Sequence, residues 1–210
     1  MTVTEFSPGR SRRKAKGDGH LRRAEILEAA ERIFVAEGYE GATIRKIADE
    51  VGVSSTALYM HFPDKSAILL EICQGALTHL VTRNREIAAK PLDPVVRVRM
   101  MLEGYMRWGL DHPNAYHLVY SQLKPVHAVW PDGMTDLSTE AYESFLSVVR
   151  EIAGAGRLRT GSPCAASQTL WMACHGVVAL LAARPAFPWE PADTLIGVSL
   201  DGLLHGLTVD

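Results

Sequence analysis

Cysteine is scarce in this chain: Cys73, Cys164 and Cys174 are all there are in 210 residues, an odd number with no C-x-x-C pair. That fits a reducing compartment better than a disulfide framework, so a cytoplasmic location is expected. Net charge is equally sparse. With 22 basic against 24 acidic residues, affinity for a polyanion has to come from local placement, not from the molecule as a whole. No apolar signal core opens the sequence. The longest apolar run, Val177 to Ala183 extended back to Leu170, is interrupted by His175 and is too short to span a bilayer, so no membrane partner is expected.

Catalytic signatures are missing as well. There is no glycine-rich phosphate loop after a strand, no nucleophile elbow and no paired carboxylates on a plausible site, and an enzyme is not expected. The eight histidines are scattered. His112 and His117 are separated by Pro113, and Cys174 and His175 are neighbours that point two ways on a helix, so neither makes a zinc pair. No cofactor or metal is expected. A small-molecule-binding protein, or a metal or thiol-redox sensor, remains the alternative reading.

What the chain does contain is concentrated between Thr43 and Phe62, TIRKIADEVGVSSTALYMHF. Thr43 can cap a helix that buries Ile44, Ile47, Ala48 and Val51 at helical spacing. Gly52 suits a bend of positive φ, Val53 can tuck between the helices, and Ser54 can cap a second helix. That helix is expected to stop at Phe62, because Pro63 disfavours helical geometry in the residue before it. Its inward stripe would be Ala57, Leu58 and Phe62. Ser55, Thr56, Tyr59 and Met60 would face out, a set of hydroxyls, an aromatic ring and a thioether suited to base edges in a DNA major groove. The spacing predicts a helix-turn-helix.

These residues carry a family resemblance. The segment AEILEAAERIFVAEGYEGATIRKIADEVGVSSTALYMHFPDKSAIL, with its GY after the first helix, its T-x-x-x-I-A-x-x-x-G-V-S core and its LY-x-HF-x-x-K ending, resembles the DNA-binding domain of the TetR family of bacterial transcriptional regulators. The match runs from Arg22 to about Val81. It implies that Thr43, Ser54, His61 and Lys65 hold phosphates of double-stranded operator DNA. It also implies a ligand-responsive regulator, most simply a repressor. The expected organisation is a disordered basic arm over residues 1–20, a helix-turn-helix domain over 21–81 with its motif at 43–62, and an effector-binding and dimerisation domain over 82–210, with a break in the chain at Pro91 to Pro94.

Around the motif the periodicity is helical and the fold class is all-α. The arm crowds Arg10, Arg12, Arg13, Lys14 and Lys16 without apolar periodicity. A first helix is predicted over about Leu21–Glu37, with Leu21, Ala24, Leu27, Ala30, Ile33 and Phe34 inward and Gly38 as its C-terminal cap. A long helix from Pro63 and Asp64 to Ala89 would carry Ile68, Leu69, Ile72, Ala76, Leu77 and Leu80 on one side. Further helices are predicted over about Val95–Asp111, Asn114–Leu123, Leu137–Ala153, Pro163–Ala183 and Ala192–Leu207, with Lys124–Asp136 looser.

The last two helices are apolar around more than one face and hold small residues such as Ala173, Gly176, Ala179, Gly197, Gly202 and Gly206. The resemblance implies that they pair with those of a second copy in an intersubunit four-helix bundle, making a homodimer. LWMACHGVVALL, with Trp171, His175 and Gly176, is similar to the subgroup with a C-terminal WHG-type domain. Finally, Met100, Met101, Tyr105, Trp108, His112, Tyr116 and Tyr120 cluster in the middle of the second domain, with Trp171 and His175 later. Such side chains suit either a core or a cavity for an apolar ligand. Since the resembling regulators bind effectors here, Met101, Tyr105, Trp108, Tyr116, Tyr120, Trp171 and His175 are the expected ligand residues for a small-molecule effector.

Overall fold

The computed structural model describes residues 19–120 and 132–209, so the basic arm and most of the looser Lys124–Asp136 segment lie outside the described residues. Nine helices are described: α1 (Gly19–Gly41), α2 (Ile44–Val51), α3 (Ser55–Tyr59), α4 (Lys65–Ala88), α5 (Pro94–Asp111), α6 (Pro113–Tyr120), α7 (Asp132–Gly154), α8 (Pro163–Ala183) and α9 (Ala192–Leu207). The only β-type pairing among the described residues is an isolated bridge between Leu158 and Thr208. The fold is all-α.

Helix boundaries follow local chemistry. Gly38 has φ 74°, a conformation that kinks α1 after Glu37 and that a side chain would resist. Thr43 and Ser54 cap α2 and α3 by accepting from the Lys46 and Ala57 amides, and Gly52 closes α2 in the left-handed region. Asp64 caps α4 by accepting from the Ala67 amide at 2.8 Å. Helix α3 ends at Tyr59, short of the expected Phe62. Beyond it the Phe62 amide still reaches the Leu58 carbonyl at 3.0 Å, so the chain leaves through a tight turn imposed by Pro63.

Two other expectations are corrected. In α1 the fully buried stripe is Ile26, Ala29, Ala30 and Phe34; Ala24 is exposed, and Leu27 and Ile33 are half-buried. An i, i+3, i+4, i+8 series anchored on Ile26 places the larger branched side chain in the core, whereas Ala24 has little apolar surface to bury. Helix α7 starts at Asp132, ahead of the predicted Leu137. Gly133 falls in its first turn, where glycine costs less than in a helix interior.

One contiguous core runs from α1 to α9. Helix α4 packs against α1, α5, α6 and α7, and its buried positions include Ile68, Ile72, Cys73, Leu77 and Leu80. Helix α6 touches both α1 and α4. At the α4–α5 corner Arg97 is only 7 % exposed. Its guanidinium donates to the Leu92 and Ala88 carbonyls at 3.0 and 2.7 Å and pairs with Glu151 of α7 at 2.5 Å. A buried cation is tolerable there because its donors are satisfied. Helix α8 is long and apolar enough to cross a bilayer by length and composition, and here it packs on α5, α7 and α9.

Candidate nucleic-acid interface and ligand cavity

The helix-turn-helix presents α3 outward. Leu58 and Phe62 are buried beneath it, while Tyr59 is 54 % and Met60 84 % exposed. Tyr59 and Met60 lie side by side at the end of the helix and together form an exposed apolar edge. Thr56, Ser54 and Thr43 are also exposed; His61 is half-buried. Ser55 is half-buried, because it precedes Leu58 by three residues and shares its side of the helix.

The module is clamped by side chains that the sequence pattern did not single out. Arg23 of α1 pairs with Glu71 of α4, donates to the His61 carbonyl at 2.8 Å and lies 4.1 Å over the Phe62 ring. Burying that ring beneath a guanidinium fixes the exit from α3. Lys46 pairs with Glu37, and Arg32 with Glu50 at 3.1 Å, tying α2 to α1.

Lys65 is placed differently from the phosphate-gripping role expected of it. Its ammonium donates to the Tyr39 carbonyl at 2.7 Å and the Ala42 carbonyl at 3.3 Å, lies 4.1 Å over the Tyr39 ring, and has Glu40 at 3.7 Å. Two of its donors thus bond backbone carbonyls, and its charge faces the Tyr39 ring. Lys65 ties the first turn of α4 to the α1–α2 corner.

A cavity of about 390 Å³ lies between α4, α5, α6, α7 and α8. Leu77, Leu80 and Asn84 line it from α4, and Met101, Leu102 and Tyr105 from α5. Val119 and Tyr120 close it from α6, Ser138, Ala141, Tyr142 and Phe145 from α7, and Trp171 from α8. Of the expected ligand residues it therefore gathers Met101, Tyr105, Tyr120 and Trp171.

Trp108, Tyr116 and His175 stand behind that wall, outside the cavity lining. The Trp108 ring lies among His79, His112 and Tyr116, at 6.3, 5.6 and 6.4 Å between centroids. The Tyr105 and Tyr116 hydroxyls both approach Nδ1 of His175, at 3.1 and 2.5 Å, and lie 3.3 Å from one another. The two hydroxyls and Nδ1 form one hydrogen-bonded cluster, and the Tyr116 hydroxyl also lies 3.5 Å from the His175 carbonyl. Burial lowers the His175 pKa below its ordinary value and raises those of Tyr105, Tyr116 and Tyr120, so all four stay uncharged near neutrality.

Thiol chemistry is muted. Cys73 and Cys174 are buried, and desolvation pushes both thiols up to about 12; Cys164 is exposed in the first turn of α8. Among the described residues no group of three or more His, Cys, Asp or Glu side chains could hold a metal ion.

An uncovered apolar surface lies on the last two helices. Met172, Leu180 and Val198 are exposed, the last by 66 %, and Gly176, Gly197, Gly202 and Gly206 have open space where a side chain would stand.

Comparison with known proteins matches residues 26–72 to the bacterial regulatory proteins, tetR family, and residues 98–207 to the tetracyclin repressor-like C-terminal domain. The HTH-type transcriptional repressor KstR2 of Rhodococcus jostii is 33 % identical over 133 residues, 61 % of this chain and 63 % of that protein. The chain spans between about half and under two thirds of the length of the curated relatives it matches first. Among solved structures, the TetR family transcriptional regulator PfmR from Thermus thermophilus superposes with a TM-score of 0.75 at 24 % identity, covering 86 % of this chain and 97 % of that one. The transcriptional regulator FadR from Bacillus subtilis, solved with stearoyl-CoA, gives a TM-score of 0.73 at 16 % identity, with 87 % and 98 % covered. Those two likenesses bear on the fold. The C-terminal match alone spans just over half of the 210 residues and the N-terminal match covers the reading helix, so the chain belongs to the TetR family of bacterial regulators.

Proposed function

We propose that this protein is a cytoplasmic, homodimeric transcriptional repressor that leaves double-stranded operator DNA when a small, largely apolar molecule fills the cavity. The observation that carries the reading is the sharing of α4. Its first turn is tied by Lys65 to the reading module, and farther along Leu77, Leu80 and Asn84 wall the cavity. A ligand that alters the seat of α4 therefore alters the placing of α3. KstR2 of Rhodococcus jostii, named a repressor, supports the sign of regulation, and the stearoyl-CoA complex of FadR supports ligand binding on this fold.

On DNA, Thr56, Tyr59 and Met60, with Ser55 at their edge, meet base edges in the major groove. Thr43, Ser54 and His61 hold phosphates, and such contacts position the reading helix without reading sequence. Residues 21–81 form the reading domain and 82–210 the effector and dimerisation domain, joined by α4. The exposed faces of α8 and α9 meet those of a second copy.

Fluorescence anisotropy with the DNA upstream of its own gene tests the reading. The wild type is expected to bind that DNA more tightly than a scrambled duplex. Tyr59→Ala is expected to lose about 1–3 kcal/mol of that discrimination with an unchanged melting temperature. Equal affinity of the wild type for both duplexes would remove the DNA-reading role.

A further inference from the structure

We infer that the cavity selects an uncharged ligand carrying a hydrogen-bonding group such as a hydroxyl, and that Asn84 is the residue that reads it. The inference rests on the cavity being the effector site. Among the described residues, no Lys, Arg, His, Asp or Glu lines that cavity. An ionised ligand group would be stripped of water there with nothing to neutralise it. Three arginines of the surrounding helices are engaged elsewhere, Arg85 with Glu140, Arg97 with Glu151, and Arg107 with Glu103 and Asp193, whereas the Arg83 Nε is buried without a hydrogen-bond partner. Arg83, next to Asn84 in the chain, sits against Gly104 of α5, in the space a side chain at that position would fill, and is not part of the lining.

Among the described lining residues the polar side chains are the hydroxyls of Ser138, Tyr105, Tyr120 and Tyr142 and one carboxamide, Asn84. Tyr105 turns its hydroxyl to His175 and Tyr116, leaving its ring to face the cavity wall. The Tyr142 hydroxyl is buried without a hydrogen-bond partner, although Gln168 lies close enough to influence it. Asn84 is different. Its Nδ2 donates to the Ala141 carbonyl of α7 at 3.3 Å, a long bond, and its Oδ1 accepts from no described residue.

That bond is also easy to surrender. The Ala141 carbonyl takes a second, shorter bond from the Ser144 hydroxyl at 2.8 Å, besides its own place in the α7 ladder. If a ligand draws the Asn84 carboxamide away, Ala141 is not stranded. A ligand hydroxyl can donate to Oδ1 or accept from Nδ2, and in taking Nδ2 it removes a tie between α4 and α7. Recognition and release then share one side chain.

Four probes with a common biphenyl body test this on the whole protein, with tryptophan fluorescence and calorimetry as readouts: biphenyl, 4-phenylphenol, biphenyl-4-carboxylate and 4-biphenylyl-trimethylammonium. The neutral phenol is expected to bind about tenfold more tightly than either ion and several-fold more tightly than biphenyl. Asn84→Leu should erase the phenol's advantage over biphenyl without weakening biphenyl, and Asn84→Asp should shift the preference to the trimethylammonium probe. Cooperative melting of both variants controls for folding. Carboxylate binding as tight as the phenol's, above all if Arg83→Ala abolishes it, would overturn the inference, as would an unchanged phenol-to-biphenyl ratio in Asn84→Leu. Binding in the wrong order sinks this inference alone; no binding by any of the four sinks the effector reading of the cavity as well.

Discussion

Gly109 of α5 and Tyr116 of α6 approach so closely that a Cβ on the glycine would stand 2.8 Å from the tyrosine ring, with the Val178 side chain of α8 equally near on the same count. Three helices converge on a position that has no side chain. Neither neighbour is a flexible chain end: one is a ring whose hydroxyl is bonded to His175, the other a β-branched residue that is fully buried. Gly109→Ala is therefore expected to destabilise by about 1–3 kcal/mol through overpacking, despite the better helix propensity of alanine. Gly104→Ala, where the obstacle is the Arg83 guanidinium, the end of a flexible side chain, should cost less than Gly109→Ala. Urea melts of the two variants check the contrast; equal midpoints would contradict it.

Lys65 gives a second prediction. Removing its ammonium leaves the Tyr39 and Ala42 carbonyls without that donor, so Lys65→Met should cost about 1.5–3 kcal/mol of stability and weaken binding to all DNA sequences alike. The salt slope of binding should stay as in the wild type. A slope shallower by about 0.9, the signature of one lost phosphate contact, would return Lys65 to the phosphate-holding set.

A third concerns the uncovered faces of α8 and α9. Val198→Arg and Gly202→Arg alter positions that are exposed in the single chain, so the protomer should fold normally. At a subunit seam each would bury an unpaired cation and cost several kcal/mol. Light scattering should report monomers, with loss of affinity for palindromes whose half-sites lie about 34–36 Å apart. Dimers of undiminished strength would move the seam elsewhere.

The fourth follows from His175. Burial holds its folded pKa below the ordinary 6.5, so the unfolded chain takes up the proton first as pH falls. The stability tied to the neutral ring is complete above about 6.5 and is lost as pH falls toward the folded value. Protonation also obliges Nδ1 to donate to the Tyr105 and Tyr116 hydroxyls that face it. Melting temperatures between pH 7.5 and 5.5 should thus drop more steeply in the wild type than in His175→Asn; parallel curves would refute the assignment.

Much of the reading module was legible because its signals are local. Gly52 at φ 72° and the caps Thr43 and Ser54 each act within a few residues of where they stand, whereas the end of α3 at Tyr59 came earlier than Pro63 alone predicts. The cavity was legible only in part. Met101, Tyr105 and Trp108 share one stripe of α5, and nothing in their spacing says that the first two meet empty space while the third packs among His79, His112 and Tyr116. Leu77, Leu80 and Phe145 look like any core residue in a sequence, and Asn84 and Ser138 like any solvated position. Which polar residue faces inward depends on how α4 and α7 meet, a relation between segments more than fifty residues apart. The same holds for Lys65 and Arg23: the direction of a long side chain is set by carbonyls and rings that only the folded corner brings into reach.

The burial of Cys73 and Cys174 makes this protein chemically addressable at one point. At neutral pH their thiolate fractions are negligible and their sulfurs are out of reach, whereas Cys164 is exposed. A maleimide fluorophore or nitroxide added to the unmodified protein should therefore attach to Cys164 alone, near the start of α8, giving one label per protomer without removal of any native cysteine. Distances between two such labels across a dimer, recorded with and without operator and ligand, would follow the α8 helices through the regulatory cycle in the wild-type chain.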